Sequence, residues 1–391
     1  MPAGRRLLVL MVLAFVALGM PMQAMGVAWP SVAADLGRPI GNLGVLVFAF
    51  GAGYAVSTYL SGHLSWRVGP TWLLTAAAAT SALCLVVMAV GDTWIGLVVE
   101  ALLLGLASGQ LDSGINAHVA LNHGTRSMGI LHAGWGVGSM LGPGLVTVLL
   151  ALDASWRFAF VAVAIAQGAL AIGFARAARR GERARRRPEG TRPGRPPGAG
   201  AVLVLSIFTF LLYSGLATAT GQWAFSVLSE GRGLSVGVAG VAASGYWTGL
   251  TASRFLLGLV GSRFEPNRLL TICTAATIAS LVLFWWSPTS AVGIFGLVFS
   301  GFAHGAFFPV EVVLTARRFG PGYTPWAVGY CFAAANVGVA GLGAVLGILV
   351  DRIGLDMIAP VLVLVAVVLA VVTKALERLS GAMESSPQTA G

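Results

Sequence analysis

The chain has 391 residues, 57% of them hydrophobic and 10% charged, with a mean hydropathy of +0.85. That balance is too apolar for a water-soluble domain of this length and places the chain among integral membrane proteins. The net charge of +10 collects at the ends of apolar segments, so it reads as membrane topology rather than as a nucleic-acid surface.

Twelve apolar stretches recur along the chain, at 7–29, 41–62, 70–91, 95–121, 129–151, 156–176, 201–228, 236–258, 268–287, 290–316, 325–350 and 356–377. Each is long enough as a helix to cross a hydrocarbon core of roughly 30 Å. Because lipid offers the backbone no hydrogen-bond partners, the expected fold is all-α. Arg5 and Arg6 ahead of the first stretch imitate a signal peptide, but the apolar run continues to Trp29 and eleven more follow, so it is read as helix 1. Cys84, Cys273 and Cys331 all fall in apolar segments with no ligand-spaced partner, which predicts packing residues and no metal site.

The turn after helix 2 reads "GHLSWRVG", Gly62 to Gly69. Helix 4 carries "GQLDSGINAHVALN", in which Gly105, Gly109, Asp112 and Asn116 share one helical stripe. An intramembrane carboxylate is expensive to ionise, and one poised there can load and release a proton; the bland reading has Asp112 bonded to Asn116 as a structural lock. Glu100, near the other end of the same helix, reads as interfacial. Helix 5, "GILHAGWGVGSMLGPGL", places Gly129, Gly134, Gly136, Gly138 and Gly142 ahead of Pro143, a density that allows close packing and a bend. His132 on that helix reads as a neutral hydrogen-bonded imidazole.

The segment "RAARRGERARRRPEGTRPGRPPGAG" from Arg176 to Gly200 is rich in Arg, Pro and Gly and cannot form a core. It reads as a basic cytoplasmic linker, 177–200, between an N-terminal six-helix half, 1–176, and a C-terminal half, 201–377, with a tail at 378–391; an RNA-binding role for "RARRR" is the weaker alternative. Placing the N-terminus in the cytoplasm puts Arg67, Arg126, Arg263, Arg268, Arg317, Arg318, Lys374, Arg378 and the nine arginines from Arg176 to Arg195 inside. It leaves Arg38, Arg157, Arg232 and Arg352 outside among six acids. By the positive-inside rule both termini are expected to be cytoplasmic.

In the second half, Gln222 and Trp223 on helix 7, Tyr246 and Trp247 on helix 8 and Asn336 on helix 11 set amides beside aromatic rings, which suits a polar, sugar-like solute. Glu311 on helix 10 is the second deep acid, either a proton site or a partner for Arg254 or Arg318. The halves share an offset of 196 residues: Gly62 to Arg67 matches Gly258 to Arg263, and "GLASG" at 105–109 matches "GFAHG" at 301–305. No phosphate-binding loop, zinc pair or nucleophile elbow appears, so neither an enzyme nor a nucleotide-driven pump is expected, and no cofactor.

With these features the sequence resembles the major facilitator superfamily, whose signature after helix 2 is matched by Gly62, Leu64, Arg67 and Gly69, with Trp66 where the family has an acid. The resemblance is strongest to bacterial fucose:proton symporter-type permeases, through "GVAWPSVAADLG", "LDSGINAHVALN", "LHAGWGVGSMLGP" and "GYWTGLTASRFL". It implies twelve transmembrane helices in two pseudo-symmetric halves, function as a monomer in the bacterial inner membrane, and proton coupling at Asp112. The acids that such permeases carry on helix 1 and helix 7 are missing here, at Met22 or Gln23 and near Ala217. Gly129, Gly138, Gly142 and Pro143 also fit part of a pattern of drug:proton antiporters. The expectation is thus a proton-coupled secondary transporter of a small organic solute, with efflux as its rival and a non-transporting sensor as a third reading.

Overall fold

The computed structural model describes the backbone of residues 3–122, 125–181, 199–260 and 263–385. Side chains at 3–5, 61–68, 70, 120–122, 125–126, 260, 321–322, 325 and 382–385 lie outside the description. The linker reading falls almost wholly on 182–198 and so lies outside the described residues, as do the side chains of Gly62 and Arg67.

The described chain is helical nearly throughout: α1 Ala3–Asp35, α2 Leu43–Val68, α3 Pro70–Val90, α4 Trp94–Asn122, α5 Thr125–Ala151, α6 Arg157–Arg179, α7 Ala199–Ser226, α8 Val236–Val260, α9 Pro266–Trp286, α10 Ser290–Gly305, α11 Phe307–Ile353 and α12 Ile358–Ser385. The 47 residues of α11 are two segments joined at Gly320, whose φ of 67° no β-carbon tolerates comfortably. In membrane terms the tenth span is therefore Ser290–Gly320 and the eleventh Trp326–Ile353. Gly69, with φ of 91°, makes the turn between α2 and α3 in the same way, and Pro70 then opens α3 where its missing N–H does no harm. At the start of α9, Glu265 accepts from the N–H groups of Asn267 and Arg268, which holds its carboxyl below the usual range.

Among the described residues, eleven spans are long and apolar enough to cross a bilayer. The twelfth expected helix, α8, has the length, 25 residues, but is less apolar. Its stretch "SGYWTGLTASR" bears polar and aromatic groups that lower its apolarity, and the helix packs on α5 and α10 with one face while Val241 and Phe255 stay exposed on another. Large apolar side chains such as Leu83, Ile95, Ile165, Val241, Phe255 and Leu364 project from the bundle surface, as a lipid-facing surface requires.

The pairings repeat between the halves. α1 packs on α5, α2 on α4 and α3 on α6; six helices later α7 packs on the eleventh span, α8 on α10 and α9 on α12. The repeat reaches single residues. A methyl group on Gly105 or Gly109 would strike the carbonyl oxygen of Phe50 or Tyr54, and one on Gly301 or Gly305 would strike that of Tyr246 or Leu250. All four glycine–partner pairs obey the same 196-residue displacement.

The halves meet where α2 packs on the eleventh span, α5 on α8 and α1 on α7. One end of the bundle carries Arg6, Arg176, Arg268, Arg317 and Lys374 and is called the basic end; the other carries Asp35, Asp92, Glu230, Asp351 and Asp356 and is called the acidic end. Cross-half contacts shut the acidic end. Gly41 and Gly44 lie backbone to backbone against Gly347 and Gly343, and the Gly41 N–H donates to Asp351 Oδ1 at 3.0 Å. Gly347→Val would drive a side chain into the Gly41 carbonyl. Overpacking of that kind costs about 1–3 kcal/mol, enough to change the ratio of closed to open acidic ends by roughly 5- to 150-fold. The native cysteines are buried, so spin labels at Arg38→Cys and Arg352→Cys report that distance selectively; the expected result is a longer distribution in Gly347→Val, and an unchanged one would show that closure does not depend on this approach.

Candidate functional site

Asp112 lies on α4 about 15 Å from Asn122, the last residue of the helix toward the basic end, at 1.5 Å per residue. Asn116, one turn on, donates from Nδ2 to Asp112 Oδ1 at 2.9 Å. Tyr54 of α2 gives the carboxyl a second hydrogen bond. That bond exists because Gly109 lets the α2 backbone close on α4 at Tyr54. Asp112 is half-buried and forms no ion pair among the described residues. It is a carboxyl held by neutral donors in a low-dielectric setting, the arrangement in which protonation alone removes the charge.

A second polar cluster surrounds a break in the tenth span. Pro309 has no N–H, so the carbonyl one turn earlier, that of Gly305, loses its helical donor, and α10 ends there. Two side chains serve the exposed carbonyls: Tyr213 Oη donates to His304 O at 2.8 Å and Arg254 Nε to Gly305 O at 3.3 Å. Tyr246 Oη donates to Ala217 O at 2.6 Å and lies 3.2 Å from His304 Nδ1, while His304 Nε2 is buried with no hydrogen-bond partner among the described residues. Tyr213 stacks on Phe307 with centroids 4.5 Å apart. Discontinuous helices of this kind, with ends tended by side chains between two repeats, are a recurrent construction at transporter binding sites.

Glu311 and Arg318 follow on the same span, two turns apart on one stripe. Glu311 Oε1 meets Arg318 Nη1 at 2.5 Å, with the Glu311 side chain 0% and the Arg318 side chain 3% exposed. Of the two cations within reach on paper, Arg318 takes the acid and Arg254 does not.

The remaining candidates are spread along the seam. Gln222 ties the halves together, donating to Met22 O at 2.8 Å and to Gln23 Oε1 at 3.2 Å, with Gly26 packed against it. Trp223 and Trp247 are buried with indole N–H groups that have no hydrogen-bond partner among the described residues, and Trp247 meets Trp135 edge-on at 6.1 Å. Asn336 donates to Phe332 O of its own helix at 3.0 Å. On α5, Gly138 and Gly142 take the α1 backbone at Val16 and Met20, Gly134 approaches Val12 less tightly, and Thr147 donates to the Pro143 carbonyl at 2.8 Å. Asp112, Asn116 and Tyr54 thus form one group on the N-terminal half, and Tyr246, Trp247, Tyr213, His304 and Arg254 another on the C-terminal half. Gln222 is a brace between the halves.

Sequence reading passed over Arg254, Tyr54, Tyr213 and His304 as site residues. Arg254 had a signal, an arginine inside an apolar span whose own helix offers no acid. Tyr54 had one only through the 196-residue repeat, which makes it the counterpart of Leu250.

Such a molecule, two six-helix repeats with polar groups along their seam and a broken helix in one of them, has the architecture of a secondary transporter. The chain belongs to the Major Facilitator Superfamily, whose model matches residues 10–231 and 202–388. Its fold is shared by a bacterial homolog of the human lysosomal transporter Spinster in an inward-facing, occupied conformation, at a TM-score of 0.79 and 15% identity over 99% of both chains. It is shared also by a point mutant of the nucleoside transporter NupG, at 0.77 and 15% over 96% of this chain and 99% of that one. A D-xylose-proton symporter follows at 0.75 and 13% over 94% and 96%. In sequence, the chain is 25% identical over 146 residues to a hexuronate transporter of Bacillus subtilis (strain 168), a match that spans 36% of this chain and 34% of that protein.

Proposed function

We propose that the protein is a proton-coupled secondary transporter of a small polar organic solute, alternating between exposure at its basic and acidic ends. The basic end and both termini lie in the cytoplasm of a bacterial cell, and one chain suffices. The observation that carries the reading is Asp112: an intramembrane carboxyl with neutral hydrogen-bond partners and, among the described residues, no ion-pair partner, on the half opposite the Tyr213–Tyr246–Arg254 cluster. Similar folds in a D-xylose-proton symporter and a nucleoside transporter, and the local match to a hexuronate transporter, support a polar, hydroxylated solute. The Asp112–Asn116 pair supports the finer likeness to fucose:proton symporter-type permeases. Glu311 serves as a second proton site only in a state that frees it from Arg318.

Efflux of an organic compound in exchange for protons is the second reading, favoured by the close seating of Gly138 and Gly142 on α1. Purified protein in liposomes loaded with a pH-sensitive dye separates them. Inward movement of protons with a solute added outside marks symport, and outward movement marks exchange. Solute flux without any proton movement would sink the coupling, and no flux of any solute would favour a sensor.

A further inference from the structure

Arg254 is the charged group that proton coupling leaves unused. It sits on α8 about 9 Å from the helix end at Val260, by the helical rise per residue. Its guanidinium does not turn out to the basic end. Nε reaches the Gly305 carbonyl, the group shares a hydrogen bond with Tyr213, and its Cζ lies 5.5 Å from the centroid of the Trp135 ring of α5 in the other half. The guanidinium therefore stands on the seam, between α5 on one side and α7, α8 and α10 on the other.

An arginine is charged under all ordinary conditions, and a charge inside a membrane protein is costly unless something of opposite sign completes it. Arg318 has Glu311, and Arg157 has Asp35 and Asp92. Arg254 has no carboxylate within 4.0 Å among the described residues. Serving the Gly305 carbonyl does not account for it, since a neutral hydroxyl, that of Tyr213, does the same for His304 one residue earlier. Two of its five donors at most are used by the bonds described, which leaves a planar fork suited to a carboxylate. The buried Trp247 indole N–H, without a partner among the described residues, belongs to a ring that abuts the same Trp135. His132 of α5 lies within the electrostatic reach of the guanidinium and turns its ring edge to Phe15.

We infer that Arg254 is the anion receptor of the transport site and that the solute is an organic carboxylate, bound by the guanidinium fork with its body against Trp135. This rests on the transporter reading and names the substrate class for it. One guanidinium among neutral donors matches one negative charge. A phosphate dianion would call for a second cation, and among the described residues the cluster has none.

The test is an equilibrium one, on the purified full-length protein in detergent, following tryptophan fluorescence and thermal shift with matched pairs: D-glucuronate and D-glucose, lactate and lactamide, benzoate and benzamide. The expected result is that binding is confined to acids, each at least tenfold tighter than its neutral partner. Arg254→Gln should weaken the acid on the order of tenfold to a hundredfold, as loss of a charge-assisted hydrogen bond implies, and Arg254→Lys less so. Circular dichroism and elution volume check that each variant is folded; should Arg254→Gln not fold, the matched pairs and Arg254→Lys decide. Neutral partners binding as well as the acids, no acid binding at all, or acid affinity unchanged on losing the guanidinium would each overturn the inference. No proton gradient enters the measurement, so a failure of proton coupling in liposomes leaves its outcome standing, and its failure leaves proton coupling untouched.

Discussion

Arg318→Ala is expected to destabilise the protein by about 3–5 kcal/mol, the usual consequence of leaving a buried charge without its partner. Glu311 is fully buried, its Oε1 is bound to Arg318, and its Oε2 already lacks a hydrogen-bond partner among the described residues. Removal of the arginine leaves that carboxyl with nothing of opposite sign. The double substitution Glu311→Leu with Arg318→Met removes both charges and keeps the volume, and such replacements are commonly neutral or stabilising. A double-mutant cycle on the unfolding midpoint in detergent measures the difference. If Arg318→Ala unfolds at the wild-type midpoint, or the double variant is no better than the single ones, the pair is not what holds the lower part of the tenth span in place. The same geometry ranks the two deep acids for function. Glu311 has a counter-charge already seated, whereas Asp112 has the neutral Asn116 and Tyr54 and no ion pair among the described residues, so a proton that neutralises a charge has more to do at Asp112.

The helices were legible because lipid imposes the same demand on every residue: an apolar exterior and internally satisfied backbone. Even the doubling was visible, since glycines that admit a neighbouring backbone cannot drift without a collision, and so the 105–109 and 301–305 motifs keep their spacing. α8 was legible as well, expected at 236–258 and found at Val236–Val260, although its polar stretch makes it less apolar than the other spans. Side-chain partnership was hardest to read. Nothing in "FFPVEVV" states that the carbonyl freed by Pro309 will be met by an arginine more than fifty residues earlier, or that Gln222 will brace Met22 across the seam, because those contacts are fixed by how the halves dock. The Asp112–Asn116 contact was readable for the opposite reason: both residues lie on one helix, four positions apart.

Asp112→Asn is expected to abolish accumulation of solute against a gradient while leaving one-for-one exchange of solute across the membrane. Asparagine keeps the shape and hydrogen bonds of a protonated aspartate but has no proton to release, so a carrier that must give up its proton to return empty is held in the loaded branch of its cycle. Exchange runs entirely within that branch. The size of the loss depends on what is carried. A pH difference of one unit supplies about 1.4 kcal/mol per proton, and a potential of 100 mV about 2.3 kcal/mol per charge. A neutral solute entering with one proton collects both, enough for accumulation on the order of several hundredfold. A carboxylate entering with one proton crosses without net charge, so only the pH difference acts, for roughly tenfold accumulation per unit whatever the potential. Radiolabelled uptake into liposomes with the pH difference and the potential imposed separately reads both quantities. Accumulation that follows pH alone in the wild type and disappears in Asp112→Asn would join the carboxyl on α4 to the guanidinium on α8 in one electroneutral cycle. Accumulation driven by the potential would detach Arg254 from the solute, and undiminished accumulation in Asp112→Asn would remove the proton from Asp112.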